Sequence, residues 1–463
     1  MLINEDRLFP AEASTRKIAK ALYAQVGKLP ILSPHGHTQA AWFAKNEPFP
    51  DPAKLLVQPD HYVYRMLYSQ GVSMEDLEIG RPEVKDPRKV WGIFASHYYL
   101  FRGTPTRMWM DYVFQEVFGV KDRFCAATAN LFFDIITEKL KTPEFLPRAL
   151  YERFNLEVLS TTDSPLDSLD AIKSIRASGW KGRVLPAFRP DPVVDPEYAG
   201  FADSIHKLGE QNGEDSTTWS GYLNALRKAR LRFKELGCTS TDHGHLTAQT
   251  ADLSKAEAAD LFSMVLSGKA DAQQQVLFQA QMLTEMAAMS MEDGLVMQIH
   301  PGSTRNHNRK VYEKYGRDVG CDIPRATNYV DALRPLLSRF GNESKLTIIL
   351  FTLDESTYSR ELAPLAGHYP CLRLGPAWWF HDSPEGMMRF RELTTETAGF
   401  YNTVGFNDDT RAFLSIPARH DVARRIDCAF LARLVGEHRL DEDEAFELAH
   451  DLTYGLAKKA YRL

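Results

Sequence analysis

Two imidazoles separated by one residue, His35-Gly36-His37, follow directly on the apolar run 31–34. Side chains alternate along an extended strand, so residues i and i+2 point the same way and both rings can reach one metal ion from a single strand end. Asp409 follows another short apolar run, 403–407. If the first and last strands of a closed sheet are neighbours, His35, His37 and Asp409 converge and leave coordination positions open for water or substrate. The same segment has an ordinary use, since Asn407-Asp408-Asp409-Thr410 also suits a turn or a helix cap. A second motif of the same kind, His243 and His245, lies between Asp242 and Leu246 and reads more as a turn. Arg189, Arg305 and Arg411 each come soon after an apolar run. A planar guanidinium can grip a carboxylate in bidentate fashion, although a structural salt bridge is the commoner fate of arginine.

These groups need elements to hold them. Short apolar runs ending in polar clusters recur at 31–34, 156–160, 184–188, 238–241, 295–299, 347–352, 371–375 and 403–407. Alternating with helical stretches, such runs are the mark of buried parallel strands joined by crossover helices. Eight of them predict an α/β protein built as a distorted (β/α)8 TIM barrel, whose functional groups sit at the C-terminal strand ends. Core helix segments are the alternative for runs this short. Far more chain separates the first two runs than one crossover helix requires. The reading is therefore a barrel formed by residues 1–38 and 154–463 with a mostly helical insertion, 39–153, able to cover the mouth and exclude water. Packing on the barrel flank or on a neighbouring subunit is its alternative. The segment 441–463 opens acidic and ends with Lys458, Lys459 and Arg462, as suits a terminal helix.

Composition excludes several classes. With 463 residues, 55 basic against 61 acidic side chains and no long block of one sign, the chain lacks a nucleic-acid footprint. No stretch is apolar enough to span a bilayer, the first residues do not resemble a signal peptide, and a cytoplasmic location is expected. Five scattered cysteines, never paired as Cys-x-x-Cys, suit reduced thiols and no zinc ribbon.

Taken in order, the motifs resemble those of the uronate isomerases (glucuronate/galacturonate isomerases), an aldose–ketose branch of the amidohydrolase superfamily. The resemblance is carried by His35-Gly36-His37, Asp60-His61-Tyr62, Thr161-Thr162-Asp163-Ser164-Pro165, Phe188-Arg189-Pro190-Asp191 and Asp242-His243-Gly244. It continues through Met297-Gln298-Ile299-His300, Arg305-Asn306, Trp378-Trp379-Phe380, Asp409-Thr410-Arg411 and Phe413-Leu414-Ser415. It implies conversion of D-glucuronate to D-fructuronate, of D-galacturonate to D-tagaturonate, or of both, through an enediol. It implies one divalent ion, zinc, held by His35, His37 and Asp409, with Tyr62 and Asp242 as a proton-transfer pair. His300, the three arginines, Trp378 and Trp379 would contact the hexuronate. Moving a carbonyl from C1 to C2 does call for a base, a stabiliser of developing charge and a proton return.

A phenol is a poor base at its ordinary pKa of ~10 unless a cation or metal lowers it, and an arginine could supply that help. In an extended segment, one of two adjacent tryptophans faces opposite to the other, so one of Trp378 and Trp379 is expected at the site. His300 could instead be a core histidine or a further ligand. Gly36 stands where many members of the resembling family carry a bulkier residue, 320–324 and 353–356 depart from it, and an arginine near Leu353 is missing. Two other functions compete. A hydrolase of the same superfamily, acting on a sugar-acid lactone, ester or amide, would use Asp409 as the base for metal-bound water, yet such enzymes usually bring further histidines or a lysine on middle strands. A degenerate sensor would have lost its ligands. No membrane or nucleic-acid partner is expected, and the assembly is expected to be a homo-oligomer.

Overall fold

Seven of the eight apolar runs are β-strands: β1 (Ile31–Ser33), β2 (Leu156–Ser160), β3 (Arg183–Leu185), β4 (Ser240–His243), β5 (Val296–Ile299), and, after two short strands β6 (Ser303–Thr304) and β7 (Ile323–Pro324), β8 (Ile348–Leu350) and β9 (Leu372–Leu374). The computed structural model describes residues 3–80 and 85–463. β1, β2 and β3 form one parallel sheet, and β4, β5, β8 and β9 a second. Phe188 joins the two, bridging to Asp163 on one side and Thr241 on the other. Its side chain is fully buried, as are nearly all strand residues, which explains why these runs are continuously apolar and do not alternate. β6 and β7 form a small antiparallel pair that the apolar runs did not announce.

The eighth run is a correction. Residues 403–407 contribute a single bridge, Leu374 to Thr403, and no strand among the described residues. Gly405 takes a left-handed φ of +73°, and a Cβ there would lie 2.7 Å from the Leu452 carbonyl oxygen. The ladder breaks at that residue, and Asn407 to Asp409 follow as irregular backbone with Asp409 itself at φ +37°. This segment still meets the end of β1: the His37 amide donates to the Thr410 carbonyl at 3.0 Å.

Between β1 and β2 the described residues are mostly helical. Asp51, Asp86 and Thr104 each cap a helix whose first residue is proline, at Pro52–Leu56, Pro87–Ser96 and Pro105–Tyr112. Proline at that position loses no hydrogen bond and the side-chain oxygen satisfies a free amide, so the sequence fixes these starts locally. Asp60 caps the helix His61–Ser69 in the same way, accepting from the Tyr62 amide at 2.9 Å. Trp91, Phe94, Tyr98, Phe114, Phe124 and Phe132 pack as edge-on and tilted rings in one apolar cluster that continues into the strand layer. At the chain's end the helix Glu442–His450 starts on an Asp441 capping box. Beyond it, Tyr461 is buried with its hydroxyl donating to Gln298 of β5 at 3.0 Å. All five cysteines are free thiols. No helix among the described residues is long and apolar enough to cross a membrane.

Candidate active site

A cavity of about 910 Å³ opens at the C-terminal strand ends, within the size range of small-molecule sites. His35, His37, Tyr62, Arg189, Asp242, His300, Arg305, Trp378, Trp379, Asp409 and Arg411, every residue singled out from sequence for the site, line it.

His35 and His37 leave the end of β1 with their rings 5.4 Å apart. Their Nε2 atoms lie 3.3 and 3.1 Å from the same oxygen, Asp409 Oδ1. That buried oxygen nevertheless has no aligned hydrogen-bond partner. Two ring nitrogens and one carboxylate oxygen crowding a point without bonding one another is the arrangement of ligands awaiting a cation, because buried polar atoms otherwise find partners. Three N/O ligands with positions left over are also the donor set of a catalytic zinc, so the residues present fit such an ion. Burial would raise the Asp409 carboxyl, but the two imidazoles hold it well below the usual carboxylate range. Its other oxygen accepts the Trp378 indole N–H.

Asp242, on β4, is the second carboxylate. His300 Nδ1 stands 2.8 Å from Asp242 Oδ1, and Arg189 Nη1 donates to Oδ2 at 3.0 Å. Burial pushes this carboxyl up as well, yet Arg189, His35 and His300 hold it well below its ordinary value, so it is ionised. His300 stacks between Phe351 at 4.0 Å and His35 at 4.6 Å, and among the described residues neither of its nitrogens has a well-aligned hydrogen bond, the close approach to Asp242 notwithstanding. His35, Asp242 and His300 thus form a second tight group, with their ligand atoms within 4.8 Å of one another.

The arginines differ in their commitments. Arg189 is spent on Asp191 at 2.7 Å and on Asp242. Arg305 pairs with Asp322 at 2.9 Å while lying over the Trp379 ring. That Asp322 comes from the divergent stretch 320–324, which therefore shapes this arginine's position. Among the described residues Arg411 pairs with Asp318 alone, at 3.7 Å.

Tyr62 arrives from the helical segment and donates its hydroxyl to the Trp379 carbonyl at 2.8 Å. Burial holds this phenol well above its ordinary pKa, so it is neutral. The cation that opposes burial is Arg419, not one of the three arginines considered from sequence. Both tryptophans line the cavity, against the expectation that one faces away. Trp379 leaves extended geometry, with φ +51°, so the alternation of a strand does not apply to it.

Among the described residues, no group of converging metal-ligand atoms includes His243 or His245. His243 Nε2 engages Thr241 Oγ1 at 2.9 Å, and burial pulls His243 down to about 3 and His245 to about 4.

Comparison with known proteins decides among the competing functions. Residues 8–461 match the family model of glucuronate isomerase. A uronate isomerase from Rhizorhabdus wittichii is 64% identical over 461 residues, covering 100% of this chain and 98% of the relative. The chain belongs to the glucuronate isomerase family. The crystal structure of glucuronate isomerase from Caulobacter crescentus superposes with a TM-score of 0.98 at 59% identity, over 99% of this chain and 97% of that one. A putative metal-dependent hydrolase from Lactobacillus casei shares the fold alone, with a TM-score of 0.53 at 13% identity over 95% and 97% of the two chains. The glucuronate isomerase family is thus matched end to end and the hydrolase only in architecture. The enzyme is a uronate isomerase.

Proposed function

We propose that the cavity interconverts D-glucuronate with D-fructuronate, D-galacturonate with D-tagaturonate, or both, by proton transfer between C2 and C1. The observation that carries this reading is one ionised carboxylate, Asp242, and one neutral phenol, Tyr62, in the same cavity as the His35, His37 and Asp409 cluster. The strands are read as a distorted (β/α)8 barrel of residues 1–38 and 154–463, with 39–153 as a helical cover that brings Tyr62 to the mouth.

One divalent ion, zinc by the character of the donor set, would be held by His35, His37 and Asp409 and would supply positive charge that stabilises the negative charge developing on the sugar. Asp242 takes the proton from C2 of the open-chain aldehyde while Tyr62 gives its hydroxyl proton to O1, leaving the enediol. Asp242 then returns its proton to C1 as Tyr62 recovers one from the O2 hydroxyl, and the ketone forms at C2. No water is consumed. Arg189 and His300 keep Asp242 ionised and aimed, and His300 also contacts a sugar hydroxyl. Arg305 and Arg411, the less committed guanidiniums, hold the C6 carboxylate. Trp378 orients Asp409, and Trp379 supplies a flat wall beside Arg305.

The test is direct. Zinc-loaded protein incubated with each uronate should produce the matching ketouronate in NMR spectra, with no oxygen taken from water. Absence of turnover with both uronates would overturn the proposal.

A further inference from the structure

Arg419 was not singled out from sequence and has no part in the steps above, yet it is buried against the cavity with only 2% of its surface exposed. It lies on the helix Ile416–Gly436, donates to Asp382 in the turn after β9, and through Nε donates to Ser415 Oγ at 3.0 Å. The guanidinium carbon sits 3.5 Å from the centre of the Trp109 ring and 5.8 Å from that of Tyr62. One side chain therefore binds the strand side of the molecule to two helices of the segment 39–153. Burying such an ion pair brings desolvation costs that apolar residues would avoid, so stability alone is a weak reason for it. The charges that face Tyr62 include Arg419 from one helix, Arg65 from its own helix, Asp60 from its own cap, Asp382 from the turn and Asp409 from the ligand cluster. Of the two cations, Arg419 acts on the phenol more strongly.

We propose that Arg419 is a positioning residue for the isomerisation: it seats the Tyr62 ring and supplies the charge that stabilises the transient phenolate, while Asp382 limits how much of that charge Tyr62 feels. The inference rests on the role given to Tyr62 above. A cation over an aromatic face is favoured electrostatically, and more so when both are desolvated.

Steady-state kinetics on zinc-loaded protein with D-glucuronate test it. Arg419→Met should lower kcat by about tenfold or more with KM changed less than about twofold, Arg419→Lys should restore most of the loss, and Asp382→Asn should leave kcat at or above the parent value. In a Tyr62→Phe background, Arg419→Met should cost nothing further, as for two groups acting as one unit. Arg419→Met leaves Asp382 buried without its partner, so the uncharged pair Arg419→Met/Asp382→Asn is measured beside it and should show the same loss of kcat in a folded protein. A loss confined to KM, an equal fall for Asp382→Asn, or an undiminished effect of Arg419→Met without the Tyr62 hydroxyl would overturn the role of Arg419. Unchanged kcat for Tyr62→Phe alone would overturn instead the reading of Tyr62.

Discussion

The chain carries the motif His-Gly-His twice at the C-terminal end of a parallel strand, and the two copies do different things. At His35 and His37 the facing group is a carboxylate, Asp409, and both rings turn toward one of its oxygens. At His243 and His245 the carboxylates that act on the rings, Asp191 and Asp242, are both already bound by the guanidinium of Arg189, which is close enough that a Cβ on Gly244 would lie 2.5 Å from its Nη2. A carboxylate neutralised by a guanidinium attracts a metal ion less than one without such a partner. The sequence motif sets where the rings start; the charge of Asp409 distinguishes the first copy from the second.

The largest expected effect comes from removing that charge. Asp409→Asn should lower kcat/KM for D-glucuronate by about a thousandfold or more with the fold intact by circular dichroism, and near-normal turnover would place Asp409 outside the mechanism. Chelation should act on the first motif alone. Stripping the metal is expected to abolish activity and lower the melting temperature, both restored by about one equivalent of zinc, with His245→Ala leaving the bound stoichiometry unchanged in elemental analysis.

The glycines between the histidines sharpen the contrast. Around Gly36 the nearest atoms to an added Cβ are at 3.6 Å, an ordinary contact, so Gly36→Ala should keep activity within about twofold. This is consistent with a bulkier residue being acceptable there. Gly244→Ala must displace Arg189, which is locked between Asp191 and Asp242, and should cost about tenfold or more in kcat by disturbing Asp242. Equal tolerance at both glycines would remove the distinction between the two sites.

A separate effect, on stability and not on turnover, is expected in acid. His243 is buried and neutral, with burial pulling it down to about 3, while its unfolded counterpart takes a proton near 6.5. The unfolded chain then binds more protons as pH falls from about 6.5 toward 3, so this residue's contribution is complete above that window and lost through it, by about 1.4 kcal/mol per pH unit. Denaturation followed from pH 7 to 4.5 should show a shallower slope in His243→Gln than in the parent. Identical slopes would mean that the ring is protonated in the fold.

How far the sequence revealed all this depends on the kind of residue. His35, His37, Asp242 and His300 were legible because each sits at a strand end that an apolar run marks. The run before Asp409 was readable as apolar but not as irregular, because the left-handed Gly405 that breaks it is dictated by close packing on Leu452, a contact remote in sequence. Arg419 was invisible by position, since no strand ends there. A signal existed: the helix Ile416–Gly436 buries Arg419, His420, Asp421, Arg424, Arg425 and Asp427 and has no polar face for them. Charges at that density on a helix with apolar residues all round must be paired inside the protein, as Arg391 does for Asp427 at 2.6 Å. Which partner each one meets depends on tertiary packing.

The measurement that bears most directly on the contrast between the motifs is anomalous diffraction at the zinc edge from zinc-loaded crystals. A single peak about 2.0–2.2 Å from His35 Nε2, His37 Nε2 and an Asp409 oxygen is the result expected here. A peak lying between His243 and His245, or none at the end of β1, would contradict it.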